Sequence, residues 1–208
     1  MEQISLHSAG KRFNKDWIFK DLNYTFERGQ HYALIGNNGS GKSTLLQVIA
    51  GYASLSKGTI SWGEYDTNSI YQQISLAAPY LELIEEFTTI EQIEFHEKFK
   101  PLNGVLSHDE IIELVGLKAA AEKQIRYFSS GMKQRLKLAL AIFSDTPILL
   151  LDEPCSNLDK EGYTLYQSMI AKYAMHKLII VGSNDPEEYA FCNQHINLLD
   201  YKVAGNNN

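Results

Sequence analysis

A glycine-rich segment between two apolar runs constrains the fold of this chain more than any other feature. Residues 36–43 read GNNGSGKS and match the pattern G-x-x-x-x-G-K-[ST]. Glycine allows backbone conformations closed to residues with a Cβ, so successive N–H groups can point at one anion. The run at 31–35 predicts a buried strand, and the run at 43–50 predicts a helix whose N-terminus faces the same anion. The segment therefore predicts a strand–loop–helix unit that binds the phosphates of a nucleoside triphosphate.

The side chains at the end of this loop have distinct predicted roles. The Lys42 ammonium group is placed to reach the β- and γ-phosphates, and the Ser43 hydroxyl is placed to coordinate Mg²⁺. A glycine-rich turn that matches the pattern by chance is the alternative, and the predicted strand and helix on either side argue against it. The predicted nucleotide-binding residues of the loop are Gly36, Asn37, Asn38, Gly39, Ser40, Gly41, Lys42, Ser43 and Thr44.

A second segment predicts the other half of the phosphate site. Residues 147–154 read PILLLDEP, a continuous apolar run ending in two acids, which is typical of a strand buried on both faces of a parallel sheet. The carboxyl ends of such strands form the edge at which open α/β sheets bind ligands. We therefore expect Asp152 to join Ser43 around Mg²⁺, and Glu153 to polarise or deprotonate a water aimed at the γ-phosphate. Two merely solvated charges at a strand end are the alternative.

Further motifs make the chain resemble the ATP-binding cassette (ABC) ATPases, the motor subunits of ABC transporters. Residues 128–135 read FSSGMKQR and are similar to the family signature, LSGGQ followed by basic residues. Residues 156–159, which read SNLD, resemble the family's D-loop. A phosphate loop alone would leave kinases and GTPases open, and the resemblance to the signature argues against both.

Two further features carry the resemblance, which spans about residues 4–199. Phe13 stands where the family keeps an aromatic residue that stacks on adenine, and Trp17 is the rival aromatic. Residues 88–91 read TTIE and resemble the segment that opens the family's helical subdomain. The resemblance implies an α/β P-loop NTPase with an ABC-type mixed sheet, largely parallel, with an antiparallel N-terminal β part and a helical subdomain.

The resemblance also implies an assembly. In the family, the signature of one subunit covers the ATP on the phosphate loop of another, so two subunits sandwich two nucleotides head to tail. Ser129, Ser130 and Gly131 would then contact the γ-phosphate from across the interface, at the N-terminus of a helix. We expect MgATP as ligand, a homodimer or a heterodimer with another ABC ATPase subunit, and a separate transmembrane permease as partner.

The chain departs from the family at two positions that sense the γ-phosphate. Pro79 stands where the family keeps the glutamine of its Q-loop, and it offers no side-chain amide. Asn184 stands at the switch histidine, and it cannot carry the charge of a protonated imidazole. A shifted alignment would make Tyr80 and Ser183 the stand-ins. In the signature, Ser130 and Met132 replace the usual glycine and glutamine. These departures predict intact ATP binding with slow or differently gated hydrolysis.

The predicted organisation is a single domain, residues 1–208, with a helical subdomain at about 83–143. The sequence predicts a loop at 101–104 between helices and a disordered tail at 205–208. The predicted strands are 3–6, 22–26, 31–35, 58–62, 148–151, 178–181 and 196–199, and the predicted helices include 43–50, 129–143 and 162–173.

Composition favours a cytoplasmic protein, and the resemblance implies a peripheral position on the inner face of the cell membrane. No apolar run approaches the roughly 18 residues that span a bilayer, so we expect the membrane-crossing part on another chain. The net charge of −6 argues against a nucleic-acid partner. Cys155 and Cys192 suggest neither a metal site nor a disulfide. His96 and His108 lie in polar helical surroundings and are predicted to be solvated.

Two classes of function remain open on the sequence. The first is an enzyme, the ATPase subunit of an ABC transporter. The second is an ATP-responsive binding module, or a degenerate half of a heterodimer, in which the nucleotide orders an interface with little or no turnover. The altered positions Pro79 and Asn184 keep the second class open.

Overall fold

The computed structural model of the protein describes residues 3–202, so the predicted disorder at 205–208 lies outside the described residues. The strands are β1 (Gln3–Phe13), β2 (Asp16–Glu27), β3 (His31–Ile35), β4 (Lys57–Ser61), β5 (Ile74–Ala77), β6 (Ile148–Asp152), β7 (Leu178–Gly182) and β8 (Gln194–Asn197). The helices are α1 (Lys42–Ile49), α2 (Thr89–Glu97), α3 (His108–Leu114), α4 (Ser130–Phe143) and α5 (Lys160–Tyr173). Short 3₁₀ turns lie at Ile70–Gln73, Lys118–Ala120, Ile125–Tyr127 and Leu198–Tyr201.

The strands form two sheets, and this arrangement confirms the predicted fold class. β2, β1 and β4 make an antiparallel sheet. The other sheet has the order β5-β6-β7-β3-β8, and all its pairings are parallel. In the parallel sheet, β3 lies beside β7 and β7 beside β6. The segments that follow these three strands therefore meet at one edge.

The parallel sheet separates two hydrophobic cores. On β6, Leu149 and Leu151 pack with the buried residues of α2 to α5, whereas Ile148 and Leu150 pack with α1 and the antiparallel sheet. All four are at most 1% exposed, which explains why this strand is apolar without alternation. Each such side chain contributes about 1.5–3 kcal/mol on burial. A strand that is buried on both faces therefore fixes the position of Asp152 in space.

Helices α2, α3 and α4 occupy the region predicted to be a helical subdomain. Thr88 caps α2 and Ser107 caps α3, each in a reciprocal capping box with a glutamate three residues later. The segment at 101–104 lies between these two helices, as predicted. Helices α4 and α5 are the longest among residues 3–202, at 14 residues each, and no helix there has the length and apolar composition to cross a bilayer. The division into domains stays a prediction.

Four strands differ clearly from the sequence predictions. The first two were expected at 3–6 and 22–26 but span Gln3–Phe13 and Asp16–Glu27, because they pair with each other as a long hairpin with shifts in register. The last strand was expected at 196–199 but spans Gln194–Asn197, because the Asn197 side chain accepts a hydrogen bond from Leu199 N and turns the chain into a 3₁₀ turn. The edge strand β5 was not predicted, since four residues at the end of a polar segment carry too weak a periodic signal.

His96 and His108 are both half-buried and bonded, so the expectation that they are solvated is wrong. His108 Nε2 lies 2.8 Å from a carboxylate oxygen of Glu97. His96 Nε2 lies 2.8 Å from Ser144 Oγ, and this contact joins α2 to the turn after α4. Burial, with a smaller contribution from the charge of Lys100, lowers the pKa of His96 from 6.5 to about 4. The folded state therefore keeps this imidazole neutral.

This neutral histidine predicts a loss of stability in mild acid. Between pH 6.5 and about 4 the unfolded chain protonates His96 while the folded chain does not, so stability falls as the pH falls through that window. From pH 7.5 to pH 5 this group should cost about 2 kcal/mol of unfolding free energy. Urea unfolding at the two pH values should show that His96→Gln loses less stability than the wild type by this amount. His7→Gln, at an exposed position, is the control and should follow the wild type. Equal losses in the His96 variant and the wild type would contradict the assignment.

Candidate functional site

The glycine-rich loop between β3 and α1 adopts a backbone that only glycine accepts at two positions. Gly36 and Gly41 have φ values of +145° and +106°. A Cβ at Gly36 would lie 2.7 Å from Ser40 Oγ, and a Cβ at Gly41 would lie 2.5 Å from Ile18 Cγ2 on β2. Ser40 N donates to Asn37 O at 2.9 Å and closes the turn. The loop is thus held tightly against its own chain and against the antiparallel sheet, with the N-terminus of α1 behind it.

Lys42 is buried at the centre of this loop, with 5% exposure. Its ammonium group donates to Gly36 O at 2.7 Å and to Asn184 Oδ1 at 2.9 Å. Burial lowers its pKa, and the charges of Glu153 and Asp152 oppose this shift. A cation held among carbonyl and amide oxygens, with two carboxylates nearby, is positioned to exchange these partners for phosphate oxygens.

Asp152 and Ser43 form a pair that fits a divalent cation. Asp152 is 2% exposed, its Oδ1 has no hydrogen-bond partner, and Ser43 donates to the same carboxylate. Burial raises the pKa of Asp152 to about 6; the Ser43 hydrogen bond opposes the rise and the charge of Glu153 adds to it. A buried carboxylate oxygen without a partner is costly in a folded protein. Mg²⁺ would satisfy it, since this ion prefers hard oxygen ligands.

Glu153 follows β6 in a strained conformation. Its φ of +44° lies in the left-handed region, which is uncommon for residues other than glycine. The strain is held in place by a hydrogen bond from Glu153 N to Gly182 O at 2.9 Å, at the end of the neighbouring strand. Glu153 lines one cleft of about 260 Å³ together with Ile18, Asn38, Gly39, Ser40, Gly41, Lys42, Ser43 and Thr44. The carboxylate and the phosphate loop therefore face the same space.

Asn184 follows β7 and lies against the loop through both ends of its amide. Its Oδ1 accepts from Lys42 Nζ, and its Nδ2 donates to Asn38 Oδ1 at 2.5 Å. Ser183, the alternative at this position, is buried and points elsewhere, since its hydroxyl accepts from Asp185 N at 2.9 Å. Asn184 is therefore the member of this pair that contacts the phosphate loop. Asn37 and Asn38 also border a second open cleft with Asn184.

Pro79 lies in the turn after β5 and presents only its carbonyl, which is 3.5 Å from Lys137 Nζ. The next residue, Tyr80, is partly exposed and carries a hydroxyl group. The Tyr80 hydroxyl hydrogen-bonds Gln47, which lies one helical turn after Ser43 on α1, and the Asp152 charge reaches the phenol. Burial raises the pKa of Tyr80 to about 12, so it stays a neutral donor. Of the two candidates, Tyr80 is the one that has a polar side-chain group.

The signature residues lie outside the cleft that Lys42 lines. Ser129 caps α4, its hydroxyl accepting from Met132 N at 3.2 Å, and both Ser129 and Ser130 are exposed. A Cβ at Gly131 would lie 3.1 Å from Asn157 O, so the start of α4 abuts the segment that resembles a D-loop. In the part of the chain that the structure describes, these residues and the phosphate loop are not brought together.

The two candidate aromatics differ in how much they are engaged. Phe13, at the tip of the β1–β2 hairpin, is 52% exposed, with Lys11 Nζ 5.1 Å from its ring centroid. Trp17 is half-buried between Arg12 and Lys20, each 5.5 Å from its ring centroid. The ring of Phe13 is thus more available to stack on a nucleotide base, whereas the ring of Trp17 packs within the β1–β2 hairpin.

Three buried or bonded side chains escaped the sequence analysis. Gln134 on α4 donates to Pro154 O at 2.6 Å, Glu188 accepts from Cys155 N at 2.8 Å, and Gln47 bonds Tyr80. Two of these bonds end on the segment just after Glu153. Polar residues on a helix or in a loop look solvated in a single sequence, and no local pattern signals that these are buried.

Comparison with known proteins shows the family of this chain. The family model for ABC transporters matches residues 19–156. ABC transporter I family member 1 of Arabidopsis thaliana is 33% identical over 185 residues, which cover 86% of this chain and 80% of that protein. The uncharacterized ABC transporter ATP-binding protein YybJ of Bacillus subtilis (strain 168) is 31% identical over 189 residues, covering 89% and 87%.

A solved ATP-binding cassette, a dimer in a post-hydrolysis state bound to ADP and Pi, superposes with a TM-score of 0.82 over 97% of both chains. It is 22% identical to this chain, so it shows a shared fold. The family model covers most of this chain, and the sequence relatives extend over nearly all of it. This chain belongs to the ABC transporter family, as an ATP-binding cassette ATPase.

Proposed function

We propose that this protein binds and hydrolyses MgATP as the nucleotide-binding subunit of an ABC transporter. The observation that carries the proposal is the single cleft in which Lys42 and Glu153 meet, with the unpartnered oxygen of Asp152 beside Ser43. A cation for phosphate, a ligand pair for Mg²⁺ and a carboxylate for water are the groups that phosphoryl transfer to water requires.

The chain's own residues then divide the reaction as follows. Lys42 leaves its bond to Asn184 and binds the β- and γ-phosphates, together with backbone N–H groups of the loop. Glu153 orients the attacking water and accepts its proton on a carboxylate oxygen. Asn184 donates its amide N–H to the γ-phosphate. Bound Mg²⁺, held by Ser43 and Asp152, would neutralise developing charge on the phosphates. Phe13 is proposed to stack on the adenine.

The location of the signature supports a dimer. Ser129 and Ser130 are exposed, Gly131 is partly exposed, and none of the three lines the cleft of its own chain. The N-terminus of α4 can therefore reach a γ-phosphate only on a second subunit, another copy or a related ABC ATPase. The related dimeric cassette bound to ADP and Pi supports this arrangement. Closure of such a dimer on ATP would drive a separate transmembrane permease, with this subunit on the cytoplasmic face of the membrane.

The altered sensors favour slow turnover. Pro79 has no side-chain amide, and Asn184 is a neutral group at the position of the switch histidine. An ATP-responsive module with little hydrolysis is the second candidate. Pro79 favours it, whereas Asn184 keeps a polar group bonded to Lys42.

The first test concerns ATP binding. Lys42→Ala should weaken MgATP binding by about 100-fold, because a charge-assisted hydrogen bond is worth up to about 3 kcal/mol. Isothermal titration calorimetry measures this affinity. Lys202→Ala is the matched control, since Lys202 is exposed and contacts the loop only through Gly39 O at 3.3 Å. Unchanged affinity in the Lys42 variant would contradict the assignment of the loop.

The second test concerns the water-activating group. Glu153→Gln should cut turnover by at least about 100-fold, as expected for the loss of a general base, and should trap an ATP-bound dimer. Phosphate release and size-exclusion chromatography with MgATP report the two effects. Glu161→Gln, at an exposed glutamate on α5, should behave like the wild type. A Glu153 variant that stays monomeric and hydrolyses at the wild-type rate would refute both roles.

The third test concerns Asn184. Asn184→Ala should lower kcat by about 100- to 1,000-fold with a smaller change in ATP affinity, because it removes a donor directed at developing charge. Single-turnover hydrolysis detects the effect even if steady-state activity is low. Asn193→Ala, at an exposed asparagine, is the control. A loss of affinity with an unchanged kcat would show that Asn184 acts only in binding.

A further inference from the structure

Glu188 is buried in a place where a carboxylate would ordinarily be expensive. It lies in the turn after β7, within the polar segment NDPEE at 184–188, and is 4% exposed. Its neighbour Glu187 is exposed. Carboxylates are almost never fully buried unless they are hydrogen-bonded or paired. The burial of Glu188 therefore needs a structural explanation, whereas the exposed Glu187 needs none.

The carboxylate of Glu188 joins two loops. Its Oε1 accepts a hydrogen bond from Cys155 N at 2.8 Å. Burial raises its pKa, and hydrogen bonds from the Ser183 hydroxyl and from Cys155 N oppose that shift. Cys155 lies two residues after Glu153, and Ser183 immediately precedes Asn184. Glu188 itself lies in the loop that carries Asn184, and its side chain bonds the segment that follows Glu153.

The backbone of Glu188 is itself fixed by α5. The hydroxyl of Tyr166, which is fully buried, donates to Glu188 O at 2.8 Å. The hydroxyl of Tyr163 donates to Asp185 Oδ2 at 2.6 Å. Glu188 N donates to Asp185 O at 3.1 Å and closes the turn. These bonds fix the turn that carries Glu188. Its contact with Cys155 therefore supports the strained turn at Glu153.

We propose that Glu188, in the loop that carries Asn184, is a positioning residue that holds Glu153 in register with that loop by bonding Cys155 N. The inference rests on the proposed ATPase function and adds a residue that the motifs do not identify. Glu188 lies outside the cleft and touches no phosphate-binding residue. It acts through the two loops that it connects, since a displacement of about 1 Å in a reacting group costs about 100-fold in rate.

The test compares Glu188→Ala, Glu188→Gln and the control Glu187→Ala. Alanine removes the acceptor for Cys155 N, whereas the glutamine carbonyl oxygen can still accept from it. In Glu188→Ala we expect kcat to fall by about 10- to 100-fold, with MgATP affinity by calorimetry within about threefold of the wild type. Glu188→Gln should recover most of this loss, and Glu187→Ala should match the wild type.

A second readout does not depend on activity. Amide hydrogen exchange at Cys155, followed in the peptide that covers 153–158, should be faster in Glu188→Ala than in Glu188→Gln or the wild type. If Glu188→Ala does not fold, the glutamine variant still decides, since normal exchange and near-normal kcat are required of it.

Unchanged kcat in folded Glu188→Ala, or equal damage in the alanine and glutamine variants, overturns the proposal. So does unchanged Cys155 exchange in Glu188→Ala. A wild-type protein that binds ATP without turnover would instead refute the proposed hydrolysis, while the exchange measurement would still show whether Glu188 holds the turn after β6.

Discussion

Close packing of Lys42, at the start of α1, against Asp152 and Gly182, at the ends of adjacent parallel strands, is the constraint on which this site depends. Asp152 is directly opposite Gly182 in the β6–β7 pairing. A Cβ at Gly182 would lie 3.3 Å from Asp152 Oδ1 and 3.4 Å from Lys42 Cβ. A charged pair this deeply buried is tolerable only because the sheet, covered on both faces, holds its members in place. The unpartnered Asp152 oxygen is then available to a metal ion.

The turn after Glu153 is held from two sides. Gln134 on α4 donates to Pro154 O, and Glu188 accepts from Cys155 N. The start of α4 also abuts Asn157 through Gly131. A displacement of α4 would therefore move Pro154, which directly follows the strained Glu153 backbone. This contact links the surface proposed to meet a second subunit with the residue proposed to activate water.

The structure changes the interpretation of the two positions at which the sequence departs from the family motifs. Pro79 and Asn184 suggest two weakened sensors. In the structure, however, the Asn184 amide contacts both Lys42 and Asn38, and the Tyr80 hydroxyl beside Pro79 reaches Gln47 and the field of Asp152. Neutral polar groups thus lie at position 184 and next to position 79.

The sequence alone determined the family, the phosphate loop and the strand that ends in Asp152 and Glu153, because these depend on local spacing and on continuous apolar runs. It also determined β3 and the start of α4, where short-range signals of strand and cap are strong. Only the tertiary structure decided that His96 is a buried neutral group, that Asn184 and not Ser183 contacts Lys42, and that Glu188 joins two loops. These depend on contacts between residues 33 to 142 positions apart, which no local pattern encodes.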